Sequence, residues 1–193
     1  MLISNVGNPA DRAVEGQRLG DYASRSGDDP YEATVALLRR NHGNVGMVGF
    51  AMSEDNLDRI FAHPQSMVCS DGGSYAVDGP ARDGHPHPRG LGTFPRVLGR
   101  YVRERKALTL EQAIHKMSGF PASRVHLRDR GRLAPGAAAD VVVLDPSTIH
   151  DTATYEQPFQ YPVGIDAVIV NGAIALRDGQ RTSQHAGVPL PVA

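Results

Sequence analysis

The run Asp166-Ala167-Val168-Ile169-Val170-Asn171-Gly172-Ala173-Ile174-Ala175-Leu176 constrains the fold most. Asn-Gly between two apolar, β-branched runs is the strongest short-range hairpin signal. The favoured two-residue turn needs positive φ at both central positions, and Asn and Gly tolerate it best. Residues 139–146 (ADVVVLDP) add another β-branched run, closed by a proline and preceded by the turn-rich Gly131-Arg132-Leu133-Ala134-Pro135-Gly136. Residues 131–193 therefore read as mainly β.

Residues 1–130 read as mixed α/β. Met1-Leu2-Ile3-Ser4 begins as a strand. Asp29-Pro30 opens a helix, since Asp caps well and Pro suits the first helical turn. Tyr31, Val35 and Leu38 are predicted to share its buried face. Ser53-Glu54-Asp55 opens a second helix carrying Leu57, Ile60 and Phe61. Residues 65–70 (QSMVCS) read as a short buried strand with Cys69 in the core. Pro95 is predicted to start a helix that buries Val97, Leu98, Tyr101 and Val102. Thr109-x-x-Gln112 is a capping-box pattern before another helix that Gly119 ends, and Pro121 opens a short one.

Composition excludes several classes. A formal charge of −1 gives no electrostatic case for nucleic acid or an acidic membrane surface. Tryptophan is absent, and no apolar run approaches the ~20 residues that span a bilayer. The N-terminus lacks the basic and apolar regions of a signal peptide. A single cysteine forbids an internal disulfide and suits a reducing compartment, so a cytoplasmic protein is expected.

The residues with chemistry to offer lie between 68 and 101. Asp71 follows an apolar run and precedes Gly72-Gly73. It reads either as good turn chemistry or as a carboxylate at a strand end with room for a ligand beside it. His85-Pro86-His87 reads either as a metal pair on extended backbone or, preferably, as a rigid loop. Arg89 and Arg96 are candidate carboxylate clamps, with a surface ion pair equally open for Arg96. Asp78 and Asp83 read as exposed loop carboxylates.

Four segments carry a wider likeness: CSDGG (69–73), HPHPRGLGTFPRVLGRYV (85–102), LTLEQAIHKMSGFPASRVHLRDRGRLAPGAAADVVVLDP (108–146) and GIDAVIVNGAIALRDGQ (164–180), followed by QHAG (184–187). In these the chain resembles the amidohydrolase superfamily. More narrowly, it resembles the C-terminal portion of the N-acyl-D-amino-acid deacylases, or D-aminoacylases. The resemblance is weak before residue 40 and strong after 66. It implies a (β/α)8 TIM-type barrel with a small β-sandwich, zinc at the barrel mouth, and hydrolysis of an N-acyl-D-amino acid to a carboxylate and a D-amino acid. Asp71 matches the carboxylate that moves the water proton to the leaving amine and is a weak metal ligand. Arg89 matches the arginine that holds the substrate carboxylate. His85, His87 and Gly72 are assigned to shaping the loop.

The family's H-x-H metal motif follows the first barrel strand; His85-Pro86-His87 lies in a different loop and is no replacement for it, and a (β/α)8 barrel typically needs ~250 residues. The chain of 193 residues is therefore expected to be an incomplete C-terminal fragment. Residues 1–130 would be the end of the barrel and 131–193 strands of the sandwich. The resemblance implies zinc for the full-length enzyme and leaves open whether this chain binds any. A complementary N-terminal chain or a homo-oligomer is the implied protein partner. Two rival readings remain: a non-catalytic product or subunit that completes another chain's barrel, and a cyclic amidase of the hydantoinase type.

Overall fold

A computed structural model describes residues 1–190 of the chain; the last three residues of the expected β segment lie outside the described residues. Two compact units emerge. One gathers residues 1–52, 71–91 and 153–161, and the other holds 53–70, 92–152 and the chain from 162 on. The change of character at residue 131 falls inside the second unit.

In the first unit, β1 (Leu2–Val6) is followed by a 3-10 turn (Pro9–Val14), α1 (Leu19–Ser26), α2 (Pro30–Arg40) and β2 (Val45–Val48). The Asp29 side chain accepts from the N–H groups of Tyr31 and Glu32 at 2.9 and 3.1 Å, so the predicted cap forms. The buried face of α2 is Ala33 and Leu37. Tyr31 and Leu38 stay exposed, which corrects the predicted stripe. Leu37 meets Ile3 and Val6 in a core flanked by Val14, Leu19, Tyr22 and Val45. Buried Asn41 ties the 3-10 turn to α2. Its Nδ2 donates to Leu37 O and Asp11 Oδ2, and its Oδ1 accepts from Asn8 N at 2.7 Å.

β1 is a strand as expected, but it pairs antiparallel with β2, with a bulge between Ile3 and Asn5. A barrel strand would need parallel neighbours on both sides. Every strand pair among the described residues is antiparallel.

The second unit contains α3 (Glu54–Ala62), capped by Ser53. α4 (Arg89–Arg96) begins in residues of the first unit and continues as a π-helical stretch, Val97–Glu104. Pro95 therefore lies inside a helix and does not start one. Lacking an N–H, it breaks the i→i−4 ladder. Beyond it the register widens, and Arg105 N donates to Arg100 O at 2.8 Å. α5 (Leu110–Met117) carries the predicted capping box of Thr109 and Gln112, and α6 (Gly119–Arg124) follows at once. Val68, Val97, Leu98, Tyr101, Leu108, Ala113 and Ile149 make the core, with Leu57 and Phe61 packed against it.

Residues 65–70 form no strand. Their main chain is held by Val68 N donating to Lys116 O at 3.1 Å, and no sheet neighbour lies alongside among the described residues. Cys69 is exposed, against the expectation of a core position.

The rest of this unit is an antiparallel sheet, β3 (Val141–Leu144), β4 (Ile165–Val170), β5 (Ala173–Arg177) and β6 (Gln180–Arg181), in sequence order. The Asn171-Gly172 hairpin forms as predicted, with φ of 48° and 81° and Val170 opposite Ala173. Among the described residues this unit holds one sheet, where a sandwich has two. No described helix is long and apolar enough to cross a membrane.

Candidate active site

Two glycine-rich segments of the first unit set the site. Asp71 has φ of 47°, a left-handed conformation that Asp tolerates better than most residues and that is often found where function needs an unusual geometry. Gly72 follows it. A Cβ on Gly72 would lie 2.6 Å from Gly90 Cα, so only glycine permits this approach of the two main chains. The approach brings together residues 18 apart: Arg89 Nη2 donates to Asp71 Oδ2 in an ion pair. Both side chains reach solvent, Arg89 at 47% and Asp71 at 76% exposure, so a ligand can reach them.

Arg89 is held from behind. Its backbone N–H donates to His87 Nδ1 at 3.0 Å. Because Nδ1 accepts, neutral His87 carries its proton on Nε2. That nitrogen lies 3.2 Å from the Tyr155 hydroxyl, with the two rings edge to face. His85 Nε2 lies 2.6 Å from the carbonyl oxygen of the same Tyr155 and donates to it. His85 N in turn donates to Ser4 O at 2.5 Å. Pro86 and Pro88 are buried between these anchors. Tyr155 rests edge-on against Phe50, with ring centroids 4.8 Å apart.

Sequence reasoning named Asp71, Arg89, His85, His87 and Gly72, and the structure brings all five into this one neighbourhood. It missed Tyr155, which lies 68 residues from His87 and carries no local motif. Arg96 belongs elsewhere. It pairs with Asp151 at 3.2 Å and Glu54 at 3.8 Å in the second unit. Asp83 is an exposed loop carboxylate paired with Arg12, and Asp78 accepts from the Tyr161 hydroxyl.

A structural or catalytic zinc takes at least three protein ligands, drawn from Cys, His and carboxylates. Among the described residues no group of three or more His, Cys, Asp or Glu is placed to hold a metal ion. Both histidine Nε2 atoms face Tyr155, and an oxygen of Asp71 meets Arg89. These residues do not fit a zinc site on their own.

The chain is α/β, and its glycine-lined loops join a carboxylate to a guanidinium. The chain belongs to the amidohydrolase family, whose sequence profile matches residues 76–176. That span includes His85, His87 and Arg89 and opens five residues after Asp71. N-acyl-D-glutamate deacylase of Alcaligenes xylosoxydans xylosoxydans is 48% identical over 157 residues, covering 81% of this chain and 30% of that protein. D-aminoacylase of the same organism is 40% identical over 174 residues, 90% of this chain and 34% of that one. Among solved structures, N-acyl-D-glutamate deacylase from Bordetella bronchiseptica, complexed with zinc and a phosphonate mimic of the tetrahedral intermediate, superposes with a TM-score of 0.80. It is 42% identical, over 93% of this chain and 35% of that one. The chain spans about a third of the length of the relatives it matches.

Proposed function

We propose that this chain carries the carboxylate-binding and proton-transfer side of an N-acyl-D-amino-acid deacylase. Its reaction splits a linear amide into a carboxylate and a D-amino acid. The observation that carries this reading is the meeting of Asp71 and Arg89 across Gly72 and Gly90. The Arg89 guanidinium offers a planar fork of donors that suits a carboxylate, so it takes the substrate's free carboxylate and fixes the orientation of the acyl amide. Asp71 accepts a proton from the attacking water. It returns that proton to the amide nitrogen as the C–N bond breaks, and the water oxygen ends in the acid product. A positioned acid–base group of this kind contributes ~10²–10⁴-fold. The relatives, named for N-acyl-D-glutamate and D-amino-acid substrates, support the substrate class. The chain matches about a third of their length, which supports reading it as one part of a larger deacylase fold. The single exposed cysteine suits a cytoplasmic setting.

The test is calorimetric titration of the purified chain with N-acetyl-D-glutamate and its L enantiomer, beside an acetate-release assay with and without added zinc. Binding should favour the D form and vanish in Arg89→Ala. Binding that ignores chirality and survives Arg89→Ala would sink the reading.

The absence of a metal-ligand group among the described residues favours a second reading, in which the ligands come from other polypeptide. The chain then acts as a subunit that completes another chain's site. Acetate release would appear only on mixing with a polypeptide that carries those ligands. Release by the chain alone would exclude it.

A further inference from the structure

Tyr155 engages both histidines of the His85-Pro86-His87 segment, through its carbonyl and its hydroxyl. Its position follows from three contacts within the first unit. The ring packs edge-on to Phe50, the carbonyl receives His85 Nε2–H, and the hydroxyl faces His87 Nε2 at 3.2 Å. The last contact matters because His87 must leave Nδ1 unprotonated to accept the Arg89 N–H. An imidazole with its proton on Nδ1 would set two N–H groups against each other there. The Arg89 N–H, which can only donate, therefore selects the tautomer with the proton on Nε2, and the Tyr155 hydroxyl takes the hydrogen bond from that nitrogen and holds the ring in place. The His87 tautomer is inferred from these partners.

We propose that Tyr155 is a positioning residue for carboxylate recognition: its hydroxyl holds the His87 ring in the orientation that meets the Arg89 N–H, and His87 fixes the main chain from which Arg89 presents its guanidinium. The proposal rests on the reading of Arg89 as the substrate-carboxylate clamp. Recognition of a planar carboxylate by a planar fork depends on orientation as well as charge. A small loosening of the Arg89 main chain therefore weakens affinity. Tyr155 acts through His87 and does not touch the carboxylate.

The test uses Tyr155→Phe in the full chain, which removes the hydroxyl and keeps the ring against Phe50. Two quantities are read: the 15N resonances of the His87 ring and the Arg89 amide, and the Kd for N-acetyl-D-glutamate. Losing one neutral hydrogen bond corresponds to about a two- to tenfold change in an equilibrium constant. The variant should bind N-acetyl-D-glutamate about two- to tenfold more weakly. Its His87 ring resonances and the Arg89 amide resonance should shift, because the ring loses its hydrogen bond at Nε2. Phe50→Leu, which removes ring contacts with Tyr155 and Arg18 but leaves the hydroxyl at His87, should change both readings less than Tyr155→Phe does. Unchanged ring resonances in Tyr155→Phe, or equal losses in the two variants, would overturn the proposal. If the wild-type chain binds no N-acetyl-D-glutamate, the clamp reading fails, and the His87 and Arg89 resonances alone decide the role of Tyr155.

Discussion

At the scale of single residues, the site turns on two opposite charges and the glycine between them. On the proposed reading, Asp71 and a substrate carboxylate compete for Arg89. An exposed ion pair is worth ~0–1 kcal/mol, so Asp71 is displaced easily. Asp71→Asn should therefore tighten N-acetyl-D-glutamate binding by up to about fivefold while abolishing turnover by any assembly in which the chain is active. Calorimetry beside the acetate assay checks the split, and a weaker Kd in that variant would exclude rivalry. Gly72→Ala forces a Cβ against the Gly90 main chain at 2.6 Å. Such overpacking costs about 1–3 kcal/mol and should part Asp71 from Arg89, seen as a lowered Tm together with lost binding of the D ligand. Asp71 and Arg89 were singled out through a family likeness, and the structure shows that they meet; spacing alone left a turn and an open choice. Tyr155 was not legible, because nothing in a local pattern encodes contacts made across some seventy residues. Cys69 was misread because an apolar neighbourhood in sequence does not supply walls on every side.

At the scale of elements, the signals that proved readable are those closed by local chemistry. The caps at Asp29 and Thr109 and the Asn171-Gly172 turn each satisfy backbone groups within a few residues. Strands depend on distant partners, and here the reading failed twice. The glycine-containing Val45-Gly46-Met47-Val48 has weak β propensity, yet it pairs with β1. The more strand-like 65–70 has no sheet neighbour among the described residues. It is fastened instead by buried Lys116, whose Nζ donates to His63 O at 2.5 Å, Ser66 O at 3.2 Å and Ser66 Oγ at 2.9 Å. Lys116→Met would keep the apolar stem and strand those acceptors, at about 1–3 kcal/mol for an unsatisfied group. The expected result is a lowered Tm with faster amide exchange at Val68. Thr109→Ala removes only the cap of α5 and should cost about 1 kcal/mol. That loss should appear in thermal unfolding and leave N-acetyl-D-glutamate binding unchanged.

At the scale of the whole molecule, four carboxylates of the second unit are held below their ordinary range. For Glu54, burial pushes upward, and the hydrogen bond from Tyr101 with the charges of Arg100 and Arg96 outweighs it. Asp58 is lowered by its hydrogen bond from Arg105. Asp140 is lowered chiefly by the Asn171 N–H, against burial, with help from Arg130; Asp145 by the side chain and N–H of Ser147 and by Thr148. A carboxylate lowered in the folded state contributes stability that is fully present above its unfolded pKa, near 3.9 for Asp and 4.3 for Glu. That contribution fades as pH falls through this range and into the folded values below it. Asp140 reports the effect locally, because its Oδ1 accepts from Asn171 N at 2.8 Å at the turn joining β4 to β5. Hydrogen exchange in the β4–β5 ladder should accordingly quicken as pH falls below about 4, after correction for the intrinsic exchange rate. Asp140→Asn keeps a carbonyl acceptor for the Asn171 N–H but cannot titrate. Its ladder should start less protected at neutral pH, through loss of the Arg130 ion pair, and should show a shallower acid slope. An acid slope in Asp140→Asn as steep as in the wild type would place the pH sensitivity in the remaining carboxylates of the unit and remove Asp140 from the account.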